Sequence, residues 1–273
     1  MERLRFGLIP DEANATLADD LARAAGEYLH TDVEVHRATD YRVLASSLEQ
    51  GRIDFAWVPP VGAARLVTSG VVRELALTMR NGQSTYLTGL FALRSSKIET
   101  PADLRGVRAA WVDRESASGY IVIRAALRTA GVSLVQAFSE EHFVRSHSEI
   151  ARALATGKVD VGATCFNFVS GTVEIARSGY KDHGGLRDED VRLVAHAGPI
   201  PADVLAAHKS VPQRIVTALA AALVDARSPQ LHAAAKALVH ADGFVRPGPE
   251  HREMLVSLLR VVDSGKTIPP PGR

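Results

Sequence analysis

Hydrophobic and polar positions alternate between two periods along this chain. Phe6 to Ile9 is an apolar run stopped by Pro10, which cannot donate to a central ladder, so it predicts a strand. Leu17, Leu21, Ala24, Ala25 and Tyr28 then recur at helical spacing. Val33 and Val35 alternate with polar residues as a half-buried strand does. Asp40 is a candidate N-cap for a helix from Tyr41 to Gln50. Ile53 to Val58, ended by Pro59 and Pro60, reads as a buried parallel strand. Leu75 to Met79 and Leu87 to Leu93 are further strands.

The pattern then restarts. Val107 to Val112 predicts a strand, Tyr120 to Thr129 a helix, and Val159 to Ala163 a strand. Ser146 to Glu149 has capping-box spacing and opens a helix through Leu154. Val191 to Ala195 and Val204 to Ala206 resume strand character, and Pro212 to Val262 reads as helical throughout. No internal repeat is visible. Two α/β stretches with a late return predict two lobes. One is discontinuous, 1–87 plus 187–273; the other is 88–186. A cleft between lobes, bordered by strand ends and helix N-termini, is the expected ligand site.

Composition narrows the function classes. Hydrophobic residues at 46% and charged residues at 23% match ordinary globular proteins and exclude a disordered or fibrous chain. Lys+Arg 32 against Asp+Glu 31 leaves +1, so no overall field recruits nucleic acid or an anionic membrane. Cys165 is the single cysteine, which excludes an intrachain disulfide and a thiolate zinc cluster. No apolar run approaches the ~20 residues that span a bilayer, so no membrane insertion is expected. Met1 to Pro10 lacks the apolar stretch of a secretion signal. The expected location is periplasmic if a leader has been removed and cytoplasmic if Met1 is the native start.

The most informative stretch is Asp113 to Tyr120, between a strand and a helix. Ser116, Ser118 and Gly119 stand where the first N–H groups of a helix lack intrahelical partners, at the positive end of its dipole. Such a turn can hold an anion. It can equally be an ordinary capped helix, with Ser116 or Ser118 as the cap. Phosphate loops, dinucleotide fingerprints, nucleophile elbows and zinc-protease signatures are missing from the sequence. Cys165 with His147 could form a nucleophile–base pair, but no third orienting group accompanies them. Arg246, Glu250, His251 and Arg252 read as a solvated face.

Several motifs resemble one family in order. Asp40-Tyr41, Gly51-Arg52-Ile53-Asp54-Phe55-Ala56-Trp57 before Pro59-Pro60, Asp103-Leu104-Arg105-Gly106, Ser116-Ala117-Ser118-Gly119-Tyr120, Gly157 to Ala163 and Pro199-Ile200-Pro201 run over residues 4–210. Together they resemble the phosphate/phosphite/phosphonate substrate-binding proteins of ABC transporters. That resemblance implies an α/β, two-lobed type 2 periplasmic-binding-protein fold, each lobe a mixed, mostly parallel sheet flanked by helices, with a central cleft. It implies non-catalytic binding of a small phosphate-like or phosphonate-like oxyanion by lobe closure, for uptake or ligand sensing. It implies no cofactor and no metal. The implied partners are an ABC-transporter membrane component or a sensor protein, with the chain a monomer.

The resemblance also carries over a binding set: Tyr41, Tyr86, Ser116, Ala117, Ser118, Gly119, Tyr120, His147 and Asn167, with Pro10, Pro59 and Cys165 as pocket wall. His147 at a helix start is expected to be a neutral N–H donor. Three departures from the family pattern matter. The loop's threonine is Ala117. The two acids that hold an aminoalkyl ammonium fall near Asn167 and near Ala195 to Ala197, where no acid stands. Cys165 is the third, either a small buried hydrophobe or a soft ligand for something like arsenite. The competing expectation is a biosynthetic enzyme on a related fold, of the thiamine-pyrimidine or menaquinone-precursor type, which would need acid/base groups in the cleft.

Overall fold

The computed structural model describes residues 3–9, 15–182 and 185–264. Pro10 lies outside them. The chain divides into two compact units: Met1–Thr85 with Pro201–Ser257, and Tyr86–Ile200 with Leu258–Arg273.

In the first unit the chain runs β1 (Leu4–Leu8), α1 (Ala15–Leu29), β2 (Val33–Arg37), α2 (Tyr41–Glu49), β3 (Phe55–Val58), α3 (Pro60–Thr68) and β4 (Val72–Met79). The second unit follows with β5 (Thr85–Leu93), β6 (Val107–Trp111), α4 (Val122–Thr129), α5 (Leu134–Ala137), β7 (Phe138–Phe143), α6 (His147–Ala155), β8 (Val161–Phe168), β9 (Ile175–Ser178), α7 (Gly179–Asp182) and β10 (Val191–Pro201). The chain then returns through β11 (Val204–His208), α8 (Gln213–Val224), α9 (Pro229–Val239), β12 (Gly243–Val245) and α10 (Pro249–Ser264).

Each unit is built on a mixed sheet with helices on both faces. The first sheet has the order β12-β4-β11-β3-β1-β2, and the second β10-β5-β8-β6-β7 with β9 beside β8. In the first, β1 pairs in parallel with β2 and β3, while β11 enters antiparallel between β3 and β4. One face buries Leu21 and Ala25 of α1, Leu219 of α8 and Leu231 of α9 against Phe6, Phe55 and Leu205. Phe6 and Phe55 pack their rings 5.3 Å apart. In the second sheet β6 pairs in parallel with β7 and β8, and β5 runs antiparallel to β8. Its α4 face buries Ile123 and Leu127 against Leu90, Ala109, Trp111, Val161 and Ala163.

Although no repeat is visible in the sequence, the two units repeat a strand–helix–strand–helix–strand arrangement with the same stitching. In the first, the Asp54 carboxylate accepts from Arg5 N (2.8 Å), Nε (3.0 Å) and Nη2 (3.2 Å). In the second, Asp160 accepts from Arg108 N (2.7 Å), Nε (3.1 Å) and Nη2 (2.7 Å). Each aspartate follows the same local path. A helix ends, a glycine turns left-handed (Gly51 φ 66, Gly157 φ 68), an aliphatic residue is buried (Ile53 0%, Val159 2% exposed), and the aspartate enters the strand. Glycine is favoured at that turn because a Cβ is strained there. The G-x-[IV]-D motif is therefore a structural clasp.

β3 ends at Val58, before Pro59-Pro60, as the sequence predicts, and Pro60 occupies the first position of α3, where its missing N–H costs nothing. Two readings of the sequence need correction. The C-terminal region is interrupted by β12. The Arg246–Arg252 segment is not wholly solvated: His251 is 6% exposed, with Nε2 3.4 Å from Glu74 Oε1, and Arg252 Nε donates to Glu74 Oε2 at 2.8 Å. Burial holds the His251 imidazole below its ordinary pKa, with Glu74 opposing the shift.

Candidate functional site

The second unit has a switch point between β6 and β8. From β6 the chain crosses one face through α4 to β7, then returns over the other face through α6 to β8. Both helices therefore begin at the carboxyl edge of the parallel strands, one on each face, which is where ligands bind in open α/β sheets. Ser116 to Tyr120 lies at the start of one helix and His147 at the start of the other.

The first helix does not begin as an α-helix. Residues Ala117–Ile121 form a π turn running directly into α4. Ile121 N–H reaches Ser116 O (3.0 Å), and Val122 N–H reaches Ala117 O, each five residues back. This widening diverts two carbonyls to the sheet. Ser118 O accepts the Thr88 hydroxyl at 2.6 Å, and Gly119 O accepts Val112 N–H at 3.2 Å. Ser116 Oγ caps the turn by accepting Gly119 N–H at 3.0 Å. The N–H groups of Ala117 and Ser118 stand in the first turn, where helix geometry supplies no acceptor. Ser116 and Ser118 are each 3% exposed, and no partner meets Ser118 Oγ among the described residues. Single-turn π segments are frequent at functional sites.

Strand register settles which other residues share this face. Thr88, bonded to Ser118, stands opposite Cys165 in the β5–β8 pairing. Side chains alternate along strands, so Tyr86, Thr88, Cys165 and Asn167 face the same way as the turn. Asn167 is 5% exposed, and Cys165 is half-buried. Opposite Asn167 on β9 is Arg177, which puts a guanidinium-bearing residue on this face.

His147 lies across the sheet. It is the first residue of α6, whose cap is Ser146 Oγ accepting Glu149 N–H at 3.1 Å. Its Nδ1 is 2.7 Å from Thr164 Oγ1. Tyr120 turns its ring away from the serines into an aromatic cluster, 5.7 Å from Trp111 and 5.2 Å from Phe143, under the Arg124 guanidinium at 4.7 Å. Tyr41 and Pro59 belong to the first unit. Tyr41 opens α2, capped by Asp40 Oδ1 accepting Val43 N–H at 2.8 Å, and Pro59 caps α3. Thr88, Thr164 and Arg177 carry no local signal in the sequence. Only strand pairing brings them to the site.

Among the described residues no helix is long and apolar enough to cross a membrane, and no cluster of three His, Cys, Asp or Glu side chains could hold a metal. The chain belongs to the family of periplasmic substrate-binding proteins of phosphonate ABC transporters, whose model matches residues 6–251. The members of that family are substrate-binding components of importers.

Among solved structures, it resembles XAC2383 from Xanthomonas citri bound to ATP, with 24% identity over 97% of this chain and 98% of that one and a TM-score of 0.72. A binding-protein component of an ABC phosphonate transporter from Pseudomonas aeruginosa is 18% identical over 98% and 90%, with a TM-score of 0.76. PhnD1 from Prochlorococcus marinus in complex with methylphosphonate is 14% identical over 96% and 98%, with a TM-score of 0.74. At these identities the likeness is one of fold.

Proposed function

We propose that this protein binds a small phosphonate- or phosphate-like oxyanion without turnover, its head group held by the turn from Ser116 to Gly119. One observation carries the reading. Ser118, a residue only 3% exposed whose hydroxyl makes no hydrogen bond among the described residues, stands in the first turn of a helix at a sheet's switch point. A hydroxyl with no protein acceptor is open to an arriving group that accepts its proton. The positive end of the helix dipole favours an anion as that acceptor. Tyr86 and His147, both of the second unit, would add donors. The partner is the membrane component of an ABC importer, and the chain acts as a periplasmic monomer.

Calorimetric titration of the purified protein with methylphosphonate, phosphite, phosphate, arsenite and ATP tests the proposal. Ser118→Ala is expected to weaken the best ligand by ~1–3 kcal/mol, the cost of removing one partner of a buried hydrogen bond. Unchanged affinity in that variant would place the head group elsewhere.

The tail of the ligand is not an amine in this reading. Asn167 bears no charge, and Arg177 is its cross-strand partner. An ammonium brought to that face would meet a like-charged residue and no carboxylate at position 167. In the same titration, 2-aminoethylphosphonate is expected to bind no more tightly than methylphosphonate. A preference for the amine would refute the assignment of this face to the tail.

A further inference from the structure

Glu141 stands in the middle of β7, an edge strand, yet it is aimed at α4. In the β6–β7 pairing it lies opposite Ala109, and Phe143 lies opposite Trp111. Ala109 and Trp111 are buried on the α4 face, so alternation puts Glu141 and Phe143 there too. A single oxygen serves two donors. Glu141 Oε2 accepts the Trp111 indole N–H at 2.6 Å and also the Arg124 guanidinium. An inward charge on an edge strand commonly guards against pairing with another chain. Here it also leads to the turn.

The Arg124 side chain is 14% exposed, and its guanidinium lies 4.7 Å from the Tyr120 ring, 5.3 Å from Trp111 and 5.7 Å from Phe138. All three rings are within range of a cation–π attraction. Tyr120 belongs to the π turn, and its neighbour Gly119 is bonded through its carbonyl to Val112, the residue after Trp111. Arg114, two residues before Ser116, lies 4.4 Å over Phe143, whose ring is 5.2 Å from Tyr120. The segment carrying Ser116 and Ser118 is therefore packed at both ends against one cluster, and Glu141 holds two members of that cluster.

We propose that Glu141 is a positioning residue: through Arg124 and Trp111 it fixes Tyr120, and so keeps Ser116 to Gly119 in the widened π form that meets the oxyanion. The ligand half of this statement rests on the function proposed above; the positioning half does not.

Amide hydrogen exchange of the ligand-free full chain tests the positioning half. Glu141→Ala is expected to speed exchange about tenfold at Ile121 and Val122, whose N–H groups make the π-turn bonds. Amides in the middle of β8 are expected to keep their wild-type rates, whereas a general loss of stability would speed them together. Calorimetric titration tests the ligand half: Glu141→Ala is expected to weaken methylphosphonate about tenfold. Glu141→Gln keeps an oxygen able to accept both donors and is expected to bind within about threefold of wild type. Adding Arg124→Met to Glu141→Ala is expected to cost little more than either change alone, because the two residues act as one unit. Thermal unfolding confirms that each variant is folded.

Unchanged exchange at Ile121 and Val122 in Glu141→Ala overturns the proposal, as does unchanged methylphosphonate affinity in that variant when the wild type binds. A Glu141→Gln variant as weak as Glu141→Ala would assign the effect to charge and overturn the hydrogen-bonded clamp. Faster exchange in the alanine variant of a protein that binds no oxyanion would support the clamp and refute the function proposed for the site.

Discussion

Alanine in place of Gly119 is expected to lower affinity for methylphosphonate by about a hundredfold while the rest of the second unit stays folded. The reason lies on the protein side of the turn. A Cβ at this position would stand 2.5 Å from Val112 Cγ2, 2.6 Å from Val112 Cβ and 2.8 Å from Ser116 Oγ. Val112 is 1% exposed and has nowhere to retreat. The turn must therefore move off the end of β6, and two bonds go with it: Val112 N–H to Gly119 O, and the cap from Gly119 N–H to Ser116 Oγ. Overpacking of this kind costs ~1–3 kcal/mol and a lost cap about 1 more. Ser118 is displaced in the process. Titration of the variant with methylphosphonate, beside its thermal unfolding curve, checks the expectation. Wild-type affinity in the alanine variant would mean that the turn is not the head-group site.

The second large effect is on stability. Asp54→Ala is expected to destabilise the first unit by about 2 kcal/mol, because it strands Arg5 N–H and removes three hydrogen bonds from a carboxylate that is only 16% exposed. Asp160→Ala should cost less. Arg108 and Asp160 are 39% and 33% exposed, and solvent screens such a pair.

The Asp160 carboxyl is held below its ordinary 3.8, first by the Arg108 guanidinium and against the cost of burial. A folded-state value below the unfolded one stabilises fully above 3.8 and is lost as pH falls through the folded value. The difference in denaturant midpoint between wild type and Asp160→Asn should therefore be present at neutral pH and close in acid below about 4. A difference that widened in acid would contradict the clasp.

Much of the fold is legible in the sequence because its elements carry local signals. The strand from Phe6 and the helix from Tyr41 are marked by an apolar run and by an N-cap aspartate. The failures have physical causes as well. Pro59-Pro60 looks like a stop, yet the second proline suits a helix start as well as a strand end. β7, Phe-Ser-Glu-Glu-His-Phe, is an edge strand paired only with β6, and its exposed charges hide its period. The repeat shared by the two units is invisible because only a glycine, an aliphatic residue and an aspartate need be kept to preserve the clasp.

The site divides the same way. Ser116, Ser118 and Gly119 announce themselves by residue type at a strand-to-helix junction. Glycine at 119 is also required by packing, since a Cβ there would meet Val112. Tyr120 reads as a ligand contact, while its ring is committed to Trp111, Phe143 and Arg124. Thr88, Thr164 and Arg177 depend on register between distant strands, which no local pattern encodes.

The Ser116 hydroxyl receives Gly119 N–H on a lone pair, and its own proton has no taker among the described residues. An anion accepting that proton would draw electron density through the oxygen and sharpen its hold on the amide behind it. Charge at one end and peptide dipoles at the other would then polarise each other through a single atom. Occupancy should tighten the first coil of the helix, so that amide exchange at Gly119 slows when the anion is bound.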